Sequence, residues 1–528
     1  MTDKPEKQPM TGESLKKRRP LAPGLEPGNL IKAFFGGNAL VAIVVLGLIT
    51  VFLFREGVEF FPQYQRSLQL YRASGQEFVG LMKREIEEFH ALQRELDEVL
   101  AMAVDRHYDS GRGYDEVRQL EAPLLEFARR GRAAVEPLRA VTKEAVDLTT
   151  AAKDEVVVAA ARAGTDGTRA IEGAAGVANA RALELTRERV RAMTPRFKQA
   201  AGEFRANLRQ VLASAPRPAR EDERAALAGY IERAREYLRA LPRVVERLDD
   251  YDPGRPVGLH ESVGGFLFGA RWTTNSSWQD FYGIWPLLSG SLLVTTVALT
   301  FAIPLGVCAA IYVNQVASAR EQNLIKPYIE FISAIPSVVI GFFGIAVFGT
   351  TVRWLSEQQW LEWLPFFPVS ERLNAFTAGA LLALMAIPTI FTLAEDAINN
   401  VPGAFKEASV AMGATNWQTI YRILVPTALS GIISAVLLGF GRVIGETMVV
   451  LLCAGNRIMV PDLGDGLGAF FEPVHTMTGI IAQEMGEVVP GSIHYRALFC
   501  VGIFLFFLSL GINYLAQHIV RKYRISSG

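Results

Sequence analysis

LSGIISAVLLGFGRVIGETMVVLLC, from Leu429 to Cys453, is an almost unbroken apolar run that nevertheless carries two charged residues, Arg442 and Glu446. The run is long enough to cross a bilayer, which takes about 20 apolar residues in a helix. The two charges stand four positions apart, which corresponds to one helical turn. The run therefore predicts a membrane-spanning helix with a charged pair inside it.

Six stretches of the chain stay apolar over the length of a membrane crossing. Helices of soluble proteins rarely remain apolar on all sides for so long. The sequence therefore predicts an all-α, polytopic membrane protein with six transmembrane helices. The stretches cover approximately residues 34–54, 285–313, 330–352, 375–395, 427–453 and 496–518.

Basic residues flank the first and the last of these stretches. Lys16, Lys17, Arg18 and Arg19 precede the first one, and Arg521, Lys522 and Arg524 follow the last one. Short basic flanks stay on the cytoplasmic side, so both termini are expected in the cytoplasm, which requires an even number of crossings. We expect a multi-pass protein of the bacterial cytoplasmic (inner) membrane. The balance of 54 basic and 54 acidic residues argues against nucleic acid as a partner.

Composition divides the chain into four segments. Residues 1–30 are polar and rich in proline, which predicts a disordered cytoplasmic tail. Residues 31–56 form the first transmembrane helix. Residues 57–258 are rich in Arg, Glu and Ala and are expected outside the cytoplasm, and residues 259–528 hold the five remaining spans.

The segment 57–258 has the pattern of a helical bundle or a coiled-coil hairpin. Apolar residues recur at heptad a and d spacing, with charges between them and one fault, Glu85, at a position that should be apolar. A rigid spacer or docking stalk is the first interpretation, and a ligand-sensing bundle is the alternative. The heptad positions are Phe78, Met82, Phe89, Leu92, Leu96 and Val99.

The loop between the fourth and fifth spans, residues 397–426, carries a spaced motif. Glu407-Ala408-Ser409 is followed after three residues by Gly413 and, nine residues later, by Ile423-Leu424-Val425-Pro426. This resembles the coupling loop of ABC-importer permeases, with the pattern E-A-A, three residues, G, nine residues, I-x-L-P. Ser409 and Val425 are mild departures from that pattern.

The resemblance implies a particular fold and partner for this loop. In that family it forms two short helices joined near the glycine and inserts into a cleft of the ATPase subunit. The residue types fit, because Ala408 and Ser409 allow close helix approach and Gly413 permits a tight turn. Pro426 suits the first turn of the following helix.

Further motifs are similar to those of the C-type membrane subunit of phosphate-specific ABC importers. They occur in the same order as in that family and cover roughly residues 260–520, plus the first span by position. The long insertion, residues 57–258, departs from the short loop that is usual in that family. The motifs are FLFGARW from Phe266, PLLSGSLLVTTVAL from Pro286, IPSVVIGFFG from Ile335, GRVIGETMVV from Gly441 and HTMTGIIAQEMGEVVPGSIHYRALF from His475.

The sequence contains no G-x-x-x-x-G-K-[ST] loop, so ATP hydrolysis is expected in a separate subunit. The chain is therefore expected to bind no cofactor, with ATP and Mg on the partner ATPase, and its residues have no metal-ligand spacing. The resemblance implies a second homologous permease, two ATPase subunits and an extracytoplasmic phosphate-binding protein as partners, besides membrane lipid. The resemblance also implies that ATP-driven closure of the ATPases switches the substrate path from inward-facing to outward-facing.

Arg442, Glu446 and Thr447 are the candidate residues of the substrate path. A charged residue inside a membrane costs at least about 2.5–3.5 kcal/mol, which is tolerable when the two charges pair or face water. The planar guanidinium of Arg442 suits two phosphate oxygens. Glu446 either holds Arg442 or accepts a hydrogen bond from protonated phosphate. A salt bridge that only locks two helices together is the structural alternative.

Two other functions remain open at this point. One is an importer of the same kind that carries molybdate or sulfate. The other is a membrane sensor that reads a signal through the segment 57–258; the short tails of the chain disfavour the sensor. Glu395 and Asp396 end the fourth span at its cytoplasmic edge, where contact with solvent explains them.

Overall fold

The protein is described by a computed structural model that places residues 27–109, 114–162, 175–218, 221–246, 248, 251–252, 255–274, 276, 278–361, 363–364 and 366–523. Nearly all of these residues are helical, which confirms the predicted fold class. Most of the predicted tail, residues 1–26, lies outside the described part. The chain divides into two compact units, residues 1–56 and residues 57–528.

The first unit contains most of helix α1, Pro27–Val58. Its apolar side chains, such as Phe34 and Leu46, are exposed. An exposed apolar surface over this length suits a lipid environment, as predicted for residues 31–56.

The second unit begins with a set of helices that forms a bundle. The heptad prediction is confirmed in α3, where Phe78, Met82, Phe89 and Leu96 are almost completely buried. The bundle helices are α2 (Phe60–Ala73), α3 (Gln76–Asp109), α4 (Tyr114–Leu120), α5 (Ala122–Ala134), α6 (Glu136–Arg162), α7 (Ala175–Ala192), α8 (Thr194–Ala213) and α9 (Glu221–Glu246).

Glu85 is the polar fault in the heptad pattern, and it is buried inside this bundle. The Tyr237 hydroxyl of α9 donates a hydrogen bond of 2.9 Å to the Glu85 backbone carbonyl. Burial is the larger cause of the raised pKa of Tyr237, and the charge of Glu85 raises this pKa further. The contact joins α3 to α9, which pack together along their lengths.

A short helix and a two-stranded antiparallel hairpin lead from the bundle into the remaining helices. Helix α15 is the centre of this region, because it packs against both α11 and α18. The elements are α10 (Leu259–Phe268), β1 (Trp272–Thr273), β2 (Phe281–Tyr282), α11 (Trp285–Gln315), α12 (Ala319–Ala334), α13 (Ser337–Phe343), α14 (Gly349–Ser356), α15 (Ala375–Asn399), α16 (Gly403–Ala411), α17 (Asn416–Thr419), α18 (Val425–Ile444), α19 (Met448–Cys453), α20 (Met477–Glu484) and α21 (Ile493–Tyr523).

Six helices in the described part are long and apolar enough to span a membrane, as predicted. The structure corrects two of the predicted stretches. The third candidate span begins at Ser337 rather than residue 330, because Ile335 and Pro336 are extended and end α12. The helix expected over residues 427–453 ends at Ile444, and the separate helix α19 follows.

Candidate functional site

Arg442 lies in the last turn of α18, and its side chain is exposed. Its guanidinium donates a hydrogen bond of 2.8 Å to the Thr389 hydroxyl of α15. Thr389 lies 14 residues after the start of α15 and 10 before its end, which is about 21 and 15 Å along the axis. Arg442 therefore lies level with the middle of α15, one of the candidate membrane spans.

The helix breaks immediately after this arginine. Glu446 and Thr447 are outside both α18 and α19, and Gly445 caps the first of these helices. As a result, Arg442 and Glu446 form no ion pair, and of the two alternatives, pairing within one helix or facing water, the structure does not show the first. The break separates the two charges, and Thr389 takes the place expected for Glu446.

The end of α19 lies level with the start of α15. The Val474 N–H donates to the Ala454 carbonyl at 2.8 Å, and the Ala375 N–H donates to the Glu472 carbonyl at 3.0 Å. The segment from Gly445 to Cys453 thus runs from the middle of α15 to its first residue. Irregular backbone at this depth is tolerated where protein or a water-filled cavity surrounds it.

Side chains of α20 and α11 support the break. The Thr478 hydroxyl donates a 2.7 Å hydrogen bond to the Glu446 carbonyl, which lies outside any helix. The Ser291 hydroxyl of α11 accepts the Met477 N–H at 3.0 Å and fixes the start of α20. The Thr447 hydroxyl has only a long contact, 3.5 Å, to the Gly445 carbonyl. Sequence reasoning missed Thr389, Thr478 and Ser291, because their partners are distant in the chain.

His475 is held as a neutral ring beside this segment. Its Nδ1 accepts the Thr476 N–H at 3.0 Å, so Nε2 carries the proton and donates to Gln483 at 3.0 Å. Burial lowers the pKa of His475. The ring therefore stays neutral near neutral pH and contributes no charge to the neighbourhood of Glu446.

The predicted coupling loop folds as two short helices, α16 and α17, joined at Gly413. Gly413 has a φ of +79°, and its N–H donates to the Val410 carbonyl while the Ala414 N–H reaches the Ser409 carbonyl. This pair of bonds is the Schellman ending of a helix, which favours glycine. The spacing of the motif thus matches the geometry.

The other motif residues surround this turn. The Ser409 and Thr419 hydroxyls lie 2.9 Å apart and link the two helices. Glu407 and Ala408 are exposed on α16, and Ile423 is half-buried. Pro426 stands in the first turn of α18, as predicted, directly after a π-helical turn over Ile420–Leu424.

Large apolar side chains remain uncovered on this loop. Met412, Trp417 and Tyr421 are 88%, 69% and 77% exposed. Contiguous exposed apolar side chains mark an interaction surface in a soluble environment. A cavity of about 460 Å³ lies between the two helices, with Ala408, Ser409 and Gly413 among its walls.

The structure contradicts the expectation that solvent explains Glu395. Its side chain is 10% exposed and forms an ion pair of 2.6 Å with Lys326 of α12. The Asn314 amide at the end of α11 donates to Asn399 at 2.5 Å. The Lys406 ammonium of α16 donates to Gln315 at 3.1 Å. Polar contacts therefore join α11, α12, α15 and the coupling loop.

The fold defines a multi-pass membrane protein whose described part has six candidate spans and a two-helix loop with exposed apolar side chains. The family described as binding-protein-dependent transport system inner membrane component matches residues 302–525. The probable ABC transporter permease protein YqgH of Bacillus subtilis is 33% identical over 46% of this chain and 73% of its own. The phosphate transport system permease protein PstC of Haemophilus influenzae is 31% identical over 52% of this chain and 87% of its own.

Among solved structures, an inward-facing form of the MetNI methionine ABC transporter aligns with 46% of this chain and 94% of its own chain, at 21% identity and a TM-score of 0.33. The chain belongs to the family of binding-protein-dependent transport permeases, by its identity to YqgH and PstC over most of their lengths. It is a multi-pass membrane protein and the permease component of an ABC importer.

Proposed function

We propose that this permease carries inorganic phosphate inward across the cytoplasmic membrane and that Arg442 contacts the phosphate on its way. The observation that supports this most directly is the exposed guanidinium of Arg442, which lies level with the middle of the candidate span α15 and donates its hydrogen bond to an uncharged hydroxyl, that of Thr389. A permanently charged group with free donors suits an oxyanion. Several relatives, including PstC of Haemophilus influenzae, are named for phosphate transport.

Glu446 and Thr447 complete the proposed path. Both are half-buried in the segment between α18 and α19, next to Arg442 in the chain. The Glu446 carboxylate accepts a hydrogen bond from a protonated phosphate oxygen. The Thr447 hydroxyl, with only its long intramolecular contact, is free to donate to another oxygen.

The family and the exposed coupling loop support the following partners. A second homologous permease encloses the path, and two ATPase subunits that hold ATP and Mg dock on the coupling loops. The exposed Met412, Trp417 and Tyr421 support this contact. An extracytoplasmic binding protein delivers phosphate. Both termini and residues 397–426 lie in the cytoplasm, and the bundle lies on the opposite side.

ATP binding closes the two ATPases and moves the coupling loops. The Lys406–Gln315 contact connects that loop to the end of α11, and the Lys326–Glu395 ion pair joins α12 to the last turns of α15. Their movement opens the path to the binding protein, and hydrolysis resets it so that phosphate leaves inward. This alternating access needs no chemical step in the permease.

Uptake of radiolabelled phosphate into proteoliposomes that contain the assembled transporter and ATP tests the proposal. Arg442→Ala is expected to lower uptake at sub-saturating phosphate by about 10- to 100-fold, since a hydrogen bond to a charged group contributes about 1.5–3 kcal/mol. Arg353→Ala, which removes an exposed arginine from the end of α14, is the control. Unchanged uptake by the Arg442→Ala variant would contradict the proposal. So would a result in which molybdate or sulfate competes with radiolabelled phosphate more strongly than unlabelled phosphate does.

A further inference from the structure

A cavity lies where the bundle meets the hairpin that leads into α11. Its volume is about 540 Å³, which falls in the usual range of small-molecule sites. The bundle contributes residues of α2 and α3, and the segment 269–281 contributes the opposite wall. The side chains that matter below are Tyr71, Lys83, Arg84, Arg271, Trp278 and Phe281.

Aromatic rings form one part of this cavity. The ring of Tyr71 meets Phe281 edge-to-face at 5.7 Å and Trp278 at 6.4 Å. A side chain at Gly80 would place its Cβ 2.4 Å from the Tyr71 hydroxyl, so glycine leaves room for that ring. Burial raises the pKa of Tyr71 to about 12, and the ring remains a neutral surface for contact.

The two carboxylates of the cavity are already neutralised. Glu87 forms an ion pair of 3.0 Å with Arg271. Glu77 forms an ion pair of 2.6 Å with Arg72 and also accepts the Tyr251 hydroxyl at 2.8 Å. Neither group is therefore left to neutralise a further cation.

Two cations of the cavity lack such a partner. The Lys83 ammonium lies 4.8 Å from the centre of the Trp278 ring, a cation–π contact. Arg84 is exposed. Among the residues that the structure describes, no carboxylate lies within 4.0 Å of either cation. The cavity thus combines aromatic walls with two uncompensated positive charges.

We propose that this cavity binds a small organic anion. Its flat apolar part packs between Tyr71, Trp278 and Phe281, and its carboxylate, sulfonate or phosphate group meets Lys83 and Arg84. Because the walls come from the bundle and from the segment before α11, a bound anion links the bundle to the permease helices. The proposal does not depend on which substrate the permease carries.

Binding of 2-naphthoate to the full chain, purified with its partner subunits in lipid nanodiscs, tests the site. Saturation-transfer NMR, with empty nanodiscs as background, gives the dissociation constant. We expect 2-naphthoate to bind at least about tenfold more tightly than the uncharged 2-naphthol of the same shape. It should also bind at least about tenfold more tightly than acetate, which has the charge but no ring.

Variants locate the binding. Lys83→Gln with Arg84→Gln is expected to weaken 2-naphthoate binding by about tenfold or more and to leave 2-naphthol unaffected. Ala270→Trp, at an exposed wall position, fills the cavity and is expected to abolish binding of both. Arg94→Gln removes one positive charge at an exposed position further along α3 and is expected to bind as the unmodified protein does.

Three results overturn the proposal. The first is absence of 2-naphthoate binding, or binding no tighter than that of 2-naphthol. The second is equal binding by the Lys83→Gln, Arg84→Gln variant. The third is an equal loss in Arg94→Gln, which would show that general surface charge attracts the probe. A failure of Ala270→Trp to fold, seen by circular dichroism, leaves the decision to the two charge variants.

Discussion

The carboxylate of Glu446 gives the proposed path a means to distinguish oxyanions by their protons. Phosphate keeps a proton at neutral pH and donates it in a hydrogen bond, whereas sulfate has none and is repelled by a carboxylate. The side chain is half-buried, so that solvent weakens the repulsion only partly. Discrimination of this kind depends on rejecting the wrong ligand as much as on binding the right one.

Glu446→Gln is therefore expected to raise the ability of sulfate to compete with phosphate uptake by about tenfold. The amide keeps the size of the side chain, and its NH₂ group donates to either anion. Competition curves in the same proteoliposomes measure the effect, and Glu487→Gln, at an exposed position after α20 and outside the proposed path, serves as the control. Unaltered sulfate competition by the Glu446 variant would remove Glu446 from the selectivity of the path.

At the scale of elements, the ion pair between Lys326 and Glu395 joins α12 to the end of α15. Lys326→Met is expected to lower the free energy of unfolding by roughly 1–3 kcal/mol, because a buried carboxylate loses its partner. Lys326 is 38% exposed, so the effect stays below that of a fully buried pair. Thermal unfolding in nanodiscs measures it.

The controls for this pair separate the charge from the loss of a lysine. Arg320→Met changes an exposed cation of the same helix and is expected to have little effect. The double variant Lys326→Met, Glu395→Met is expected to recover most of the loss, because it removes the stranded charge. A double variant less stable than Lys326→Met would contradict the account.

Sequence predicts those elements whose formation depends on residues close together in the chain. Apolar length gave the six spans, and the spacing around Gly413 predicted the two helices of the coupling loop. The break after Ile444 was missed, since Thr478 supports it from 32 residues away. Likewise the partners of Arg442 and Glu395 lie on other helices, Thr389 and Lys326, which no local pattern reveals.

At the scale of the whole molecule, α2 anchors the bundle to the membrane helices of the second unit. Phe60 and Tyr64 are buried among the rings of Phe266 and Tyr282. Glu59, at the start of α2, forms an ion pair with Arg496 of α21. Packed aromatic side chains of this kind contribute several kcal/mol each. Although α2 is the first helix of the bundle in the chain, its first turns thus pack against the permease helices.

The chain leaves for the bundle and returns from it at neighbouring points. Arg72 forms ion pairs with Glu77 and with Glu261 and donates to the Arg255 carbonyl at 3.2 Å. The side chain of Gln69 accepts the Val257 N–H at 2.6 Å. A short Gly-Ser linker from Gly75 to Arg255 can therefore replace residues 76–254 without moving α2.

This deletion is expected to leave the membrane helices folded, whereas a deletion of residues 60–254 is expected to destabilise them. The longer deletion removes Phe60 and Tyr64, and loss of a buried aromatic side chain costs about 3–5 kcal/mol. The shorter deletion also carries Leu70→Gln, because Leu70 is otherwise buried against Val156 and Leu183 of the bundle. Size-exclusion profiles and thermal unfolding in detergent compare them. If the shorter deletion aggregates as the longer one does, the bundle itself is required for the fold of the permease, and α2 alone does not explain the connection.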